Sequence, residues 1–376
     1  MDRDPIRLVK PDIPEEALRR VADVIRSGRL VQGEYVQKFE LALQEYLGTR
    51  NAVVVSSGTA ALHLSLMALG LQSGDEVIVP AFTFPATANV VEVMGGKPVL
   101  VDITLDDFCI DTAQIEKAIT KRTKVIMPVH EFGQPAEMDR IMSIARKYRL
   151  EVIEDAACAL GAEFSHKKVG TFGRLGCFSL HPRKMITTGE GGVVITDDDV
   201  LAEKVRSLRN HGLSPSGNGF DLIYAGLNYR MTDIQAALGL SQLGAIDTFA
   251  QAREQVAQMY QERLTGIGWI KIPSSFEKRR SIYQTYHLLL DENIQRDFLI
   301  TSLKQEGIET NYGAYALNCL SYYQQKYGYT GKELRNAVRA YKQGLALPIG
   351  AHVNKDDIDY IAGTLKKKGR PAVYGF

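Results

Sequence analysis

The stretch CFSLHPRKMITTGEGG, residues 177–192, decides how this chain is read. Its first residues form an apolar run that predicts a strand ending at Ser179, and a new apolar strand starts at the glycines 191–192. Lys184 stands between them in a tight, glycine-punctuated segment. A lysine is ordinarily a solvated surface residue. Here the setting is that of a Schiff-base lysine, which needs a pKa lowered by burial or by a nearby positive charge to attack a carbonyl as the free amine.

Working outward, short β-branched runs alternate with helical stretches from Asn51 to about Asp198. The predicted strands are AVVVSS (52–57), EVIVP (76–80), PVLVD (98–102), KVIMPVH (124–130), EVIED (151–155), GCFSL (176–180) and GGVVITD (191–197). Amphipathic segments such as EMDRIMSIARKYRL lie between them, so the expectation is βα units around a mostly parallel seven-stranded sheet. After about Leu243 the pattern changes to a long charged helix (roughly 247–265), one clear strand (283–290) and three further helix candidates. That predicts a large domain over 49–245 and a smaller α/β domain over 246–376. Residues 1–48, with a helix EEALRRVADVIRS and an extended link GRLVQGEYV, are expected to pack with the small domain.

Composition narrows the partners. The 376 residues are 45% hydrophobic, enough for a sizeable core, and 45 Lys and Arg balance 44 Asp and Glu. No long-range field then favours nucleic acid or an anionic membrane, and phosphate recognition has to be local. The four cysteines, Cys109, Cys158, Cys177 and Cys319, contain no CxxC pair, and the N-terminus is too polar for a signal peptide. No apolar run approaches a membrane span. The expectation is a soluble cytoplasmic protein with reduced thiols. Seven histidines without an HxxxH or a His-carboxylate cluster predict no catalytic metal.

In an open α/β sheet, ligands sit at the carboxyl ends of the strands. Three such ends carry chemistry here. At Ser56-Ser57-Gly58-Thr59 a strand runs into a helix former, which suits a phosphate cradle and equally an ordinary helix cap. At Glu154-Asp155 a strand ends in two carboxylates that alternation sends to opposite faces. The third end carries Ser179 and Lys184. A phosphate cradle, an ionised carboxylate and a lysine are together what pyridoxal phosphate requires.

The motifs SSGTAALHLSL, EVIVPAFTFPATAN, HEFGQPAEMD, EDAACALGA, CFSLHPRKMITTGEGG and GLNYRMTDIQAALG resemble, in order and spacing, the DegT/DnrJ/EryC1/StrS family of sugar aminotransferases. The resemblance covers nearly the whole chain. It implies fold-type-I subunits of the aspartate-aminotransferase superfamily, paired as a homodimer. It also implies transfer of an amino group, usually from glutamate, to a nucleotide-linked keto sugar through pyridoxal 5'-phosphate and its pyridoxamine form.

Residue by residue, Lys184 matches the Schiff-base and proton-transfer lysine and Asp155 the partner of the pyridine nitrogen. Gly58, Thr59 and Ser179 match the phosphate-holding positions, Phe84 the aromatic that stacks on the cofactor ring, and Asn228 a residue that reaches the phosphate from the neighbouring subunit. For Phe84 the alternative is a core residue. Cys158 departs from the pattern, standing where many members have His or Gln near the cofactor's phenolic oxygen. Leu227 replaces a frequent aromatic, and Asn311-Tyr312 stands where several members have His-Tyr. Lys184 itself argues against the branch of the family that carries His there and runs a dehydration.

For the substrate, the neutral stretch GIETNYGAYAL (307–317) offers Asn311, Tyr312 and Tyr315 for hydroxyl hydrogen bonds and sugar stacking. His130 and His181 lie beside strand ends and are candidates to touch substrate or phosphate. Arg230 is the candidate cation for the glutamate carboxylate and the diphosphate. Lys278-Arg279-Arg280 reads as a solvated charge run rather than a diphosphate grip. The predicted acceptor is a 4-keto or 3-keto deoxyhexose, with a cyclitol or other non-nucleotide ketone as the alternative. A non-catalytic regulatory protein on the same fold is opposed by the survival of both Lys184 and Asp155.

Overall fold

The computed structural model describes residues 4–369. The outermost residues of the two terminal units, 1–3 and 370–376, lie outside the described residues. All seven predicted strands form one sheet: β1 (Asn51–Val55), β2 (Glu76–Pro80), β3 (Lys97–Val101), β4 (Thr123–Ile126), β5 (Glu151–Asp155), β6 (Leu175–Ser179) and β7 (Gly192–Thr196). They lie in the order β1-β7-β6-β5-β4-β2-β3. Only β7 is antiparallel to its neighbours, so the other six aim their carboxyl ends at one edge. The strands are buried on both faces between layers of helices, as continuous apolar runs require.

Gly192 shows how tightly this edge closes. It pairs with Val55 on one side and Ser179 on the other, and a Cβ there would sit 2.3 Å from the Ser57 carbonyl oxygen. Glycine is what lets β1, β6 and β7 converge where the cofactor motifs end.

The second unit is built on a three-stranded antiparallel sheet, β8 (Ile270–Lys271), β9 (Tyr286–Leu290) and β10 (Gly344–Leu347), with β9 in the middle. Tyr260, Leu288, Leu303 and Ile361 pack on it, and the Tyr260 hydroxyl donates to the Pro348 carbonyl at 2.9 Å. A two-residue pairing of Phe82–Thr83 with Tyr315–Ala316 fastens this unit to the sheet edge. His287 stacks on Phe132 at 4.3 Å in the same seam.

The N-terminal segment divides. Ile6 bridges Ile308 and joins the small-domain core. The helices Glu15–Ser27 and Glu34–Leu47 instead pack on the helix Asp233–Leu243, and Phe39 and Leu43 enter the large core. The predicted extended link is therefore cut short, because its last residues, 34–36, open a helix. Its end is capped from 200 residues away: the Asp233 carboxylate accepts from the backbone N–H groups of Gly33, Tyr35 and Val36. A Cβ at Gly33 would sit 2.8 Å from that carboxylate.

Candidate active site

At the end of β1 the chain turns through Ser57 into the helix Gly58–Leu69, and the Ser57 side chain accepts from the Ala60 N–H at 3.0 Å. Gly58 presses on the end of β6, where a Cβ would lie 2.8 Å from Ser179 Cβ and 3.3 Å from its hydroxyl. Thr59 is exposed and Ser179 half-buried beside it. Two hydroxyls, a residue without a Cβ and the first N–H groups of a helix thus come together at one place on the sheet edge. That donor set fits a phosphate dianion.

Next to β6 in the sheet, β5 ends at Asp155, which is 4% exposed. One carboxyl oxygen accepts from the Thr87 hydroxyl at 2.8 Å and the other from the Ala157 N–H at 3.1 Å. Burial raises the Asp155 pKa, opposed by those two hydrogen bonds and by the nearby Lys184 charge. Its neighbour Glu154 faces the other way and accepts from the N–H groups of Gly170, Phe172 and Gly173. It also meets His130 Nε2 at 2.9 Å. Because His130 Nδ1 accepts from the Ala136 N–H, both ring nitrogens are committed and His130 is not available to a ligand.

The turn that carries Lys184 is fixed at both ends. The Lys184 N–H donates to the His181 carbonyl at 2.8 Å, His181 Nδ1 accepts from the Arg183 N–H, and Gln284 of the second unit donates to the Arg183 carbonyl at 2.7 Å. The Lys184 ammonium donates to Cys158 Sγ at 3.0 Å. Burial acts to lower the Lys184 pKa, but Cys158, Glu131 and Asp155 act against it and the net displacement is upward. The expectation of a lowered pKa is therefore corrected: Cys158, Glu131 and Asp155 favour the protonated amine and outweigh its burial. His181 is held below the usual histidine range, chiefly by burial.

Lys184, Cys158, Phe84, Glu131 and Gln284 line a cavity of about 100 Å³ between the two units. Phe84 is 64% exposed and meets Tyr315 edge-on at 6.2 Å, so it is not a core residue and its ring is free to cover a ligand. Asn311 lines the same cavity, while its side-chain oxygen accepts from the Gly313 N–H. Tyr312 stands behind it and donates to the Tyr315 hydroxyl at 2.7 Å. Arg183 is the cation in the cavity wall. Arg230 is outside that wall; it bridges Val55 through its backbone and donates to Asn210 at 2.7 Å. Asn228 is exposed on the strip that leads to it. Arg279 and Arg280 are paired with Asp107 and Glu254 and do not reach the cavity.

Five contributors are absent from the sequence analysis: Thr87, Glu131, Arg183, Gln284 and the Leu8-Val9 segment in the cavity lining. A larger hollow of about 480 Å³, between Arg50, Arg174 and Asp198, lies at the opposite edge of the sheet, where no nucleophile or acid–base set gathers. Among the described residues, no group of three or more His, Cys, Asp and Glu is arranged to hold a metal ion, and no helix is long and apolar enough to cross a membrane.

Known proteins resemble this chain over nearly its whole length. The model of the DegT/DnrJ/EryC1/StrS aminotransferase family matches residues 11–366. GDP-perosamine synthase of Caulobacter vibrioides is 41% identical over 336 residues, covering 89% of this chain and 90% of that one. Among solved structures, PseC of Helicobacter pylori, an aminotransferase of pseudoaminic acid biosynthesis, superposes with a TM-score of 0.93 at 32% identity, covering 97% and 98% of the two chains. The Streptococcus pneumoniae sugar aminotransferase Spr1654, solved in its PMP form, also superposes with a TM-score of 0.93, at 30% identity, covering 97% and 98%.

Proposed function

From the premise that this chain belongs to the DegT/DnrJ/EryC1/StrS aminotransferase family and is an aminotransferase, we propose that it moves an amino group from glutamate to a nucleotide-linked 4-keto or 3-keto deoxyhexose, using pyridoxal 5'-phosphate. The observation that carries the reading is the convergence, at one sheet edge, of the Gly58–Thr59–Ser179 cradle, the buried Asp155 and Lys184. Amino-sugar relatives such as GDP-perosamine synthase and PseC support the substrate class. Four unpaired thiols support a cytoplasmic setting.

When bound, pyridoxal phosphate supplies an electron sink for the carbon that gains or loses nitrogen. The chain's part is to hold and time it. Gly58, Thr59 and Ser179 would hold the phosphate, Asp155 would keep a proton on the ring nitrogen, and Phe84 would cover one ring face. Lys184 would hold the cofactor's aldehyde carbon and, on its flexible stem, would also be placed to move the proton at the substrate carbon. In the second half of the reaction, Asn311, Tyr312 and Tyr315 offer neutral donors to a sugar. Arg183, in the cavity wall, would meet an anionic end of a substrate. Asn228 and Arg230, at the exposed end of the sheet, are proposed to serve the site of the other subunit in a homodimer.

The test is to charge the enzyme with glutamate and follow the absorbance of the aminated cofactor as each acceptor is added. Keto sugar nucleotides should discharge it. Rapid discharge by oxaloacetate or pyruvate, with none by any keto sugar nucleotide, would make this an amino-acid enzyme.

A further inference from the structure

The cavity holds a carboxyl group that the proposed reaction leaves unused. Glu131 is 4% exposed, yet it faces the same cavity as Lys184 and Cys158. It sits in a constrained turn: Phe132 has φ 57°, and Gly133, at φ 86°, lies so close to the Cys158 carbonyl that a Cβ would sit 3.1 Å from it. The turn that carries Glu131 is therefore packed at Gly133 against the Cys158 carbonyl. The carboxyl takes the backbone N–H of Phe132, and no side chain among the described residues donates to it. Burial, with Asp155 adding to it and the Lys184 charge opposing, pushes its pKa up to about 8. At neutral pH it is predominantly the neutral acid, and a neutral acid is a hydrogen-bond donor.

The sheet order says what that donor meets. The phosphate cradle lies over β1 and β6, and Asp155 ends β5. The chain beyond β4 runs alongside β5 to Val129, which bridges Asp155, and then delivers Glu131. A pyridine ring with its phosphate on the β6 side, its nitrogen on Asp155 and its aldehyde carbon at Lys184 turns its remaining polar substituent, the phenolic oxygen, towards β4. That is where family resemblance puts His or Gln and this chain has Cys158, whose thiol is short and a weak donor.

We propose that Glu131, as the protonated acid, donates to the cofactor's phenolic oxygen the hydrogen bond that Cys158 does not supply. The inference rests on the pyridoxal phosphate reading above. The groups facing Glu131 are Lys184, Cys158, Asp155 and the buried thiol of Cys109, with Arg183 in the cavity wall. A donor at the phenolate draws off its charge and loosens the proton on the nitrogen that joins cofactor to lysine. Removing the donor leaves the phenolate more basic, so that proton is held to higher pH.

The experiment is a pH titration of the bound cofactor's visible absorbance. Glu131→Leu should raise the midpoint by about one pH unit, the scale of one charge-assisted hydrogen bond. Glu131→Gln, whose amide still donates, should stay within a few tenths of the wild type, and Cys158→Gln added to Glu131→Leu should restore it. A fall in the midpoint for both Glu131 variants would mean that an anion had been lost, and would overturn the proposal. So would an unmoved midpoint in Glu131→Leu. If Glu131→Leu fails to fold, infrared difference spectra of wild type against Glu131→Gln decide: a protonated carboxyl band at neutral pH is expected, and its absence overturns the assignment. No coloured cofactor in the wild type would instead defeat the underlying reading.

Discussion

The two walls of the active-site cleft are made of different material. The edge of the large sheet presents backbone ends, glycines and short polar side chains, fixed by strand pairing, as Gly192 is between Val55 and Ser179, or by hydrogen bonds, as the Asp155 carboxylate is by Thr87 and Ala157. The small-domain wall presents tyrosines and an asparagine on a bridge of two residues. The rigid edge can define the position of one small rigid group. The opposite wall, hung on few backbone bonds, can differ in what it accepts without disturbing that edge. Chemistry should therefore fail when the edge is altered, and choice of substrate when the wall is altered.

The sharpest break is Lys184→Ala. It should cut turnover by roughly 10⁴-fold or more, since both the covalent hold and the proton transfer are lost. Circular dichroism and the melting temperature should stay near wild type, because the turn is held by backbone and by Gln284. Near-normal transamination would remove Lys184 from the chemistry. Next in size, Asp155→Asn should lower kcat by about 10² to 10³-fold, the scale of losing one preorganised charge partner. Full activity there would point to the wrong carboxylate, although Glu154 already spends its oxygens on three backbone N–H groups.

Thr87→Val sharpens the comparison. It removes one hydrogen bond to Asp155 and leaves the shape, so about a tenfold loss is expected in both half-reactions alike. A loss confined to the sugar half-reaction would place Thr87 with the small-domain wall instead.

What was legible in the sequence follows the same division. Most of the large-sheet strands are apolar runs rich in β-branched residues and buried on both faces, and composition marks them; β6, Leu175–Ser179, has none and is read from its apolar residues alone. In the small domain only Tyr286–Leu290 was read as a strand. Gly344–Leu347 is glycine, alanine and leucine, and it becomes a strand because β9 and the Asn311 carbonyl accept it. The helix Glu34–Leu47 was read partly as a link because its cap, Asp233, is remote in sequence. Lys184 and Asp155 follow strands and could be read from their own neighbours. Thr87 reaches a carboxylate 68 residues away, and the Glu131 acid is made by burial, so neither has a local signature.

Glu131 also makes a stability prediction. Its folded pKa of about 8 lies above the ordinary 4.5, so the folded state keeps a proton that the unfolded chain releases. Stability from this group is present below about pH 4.5 and declines as pH rises to about 8, then levels off. Melting temperatures measured across that window should fall less steeply for Glu131→Gln than for wild type. Equal slopes would mean that the buried acid ionises freely.

The smallest effect expected is at the far wall. Tyr312 donates to Tyr315, which leaves the Tyr315 proton free for another acceptor, and Phe84 packs edge-on against the Tyr315 ring. The Tyr312 pKa is pushed up to about 12, first by that hydrogen bond and then by burial, so it remains a neutral phenol in the working range. Tyr312→Phe keeps the edge-on packing against Tyr315 and Tyr341 but releases the Tyr315 oxygen from its donor. The loss is one neutral hydrogen bond, about 1 kcal/mol, or a few-fold to tenfold in kcat/KM. It should appear only with the sugar acceptor, while amination of the cofactor by glutamate stays at the wild-type rate. Stopped-flow measurement of the two halves separates these outcomes. Equal slowing of both would mean that the tyrosine cluster supports the rigid edge after all, and the division between a wall for chemistry and a wall for choice would not hold.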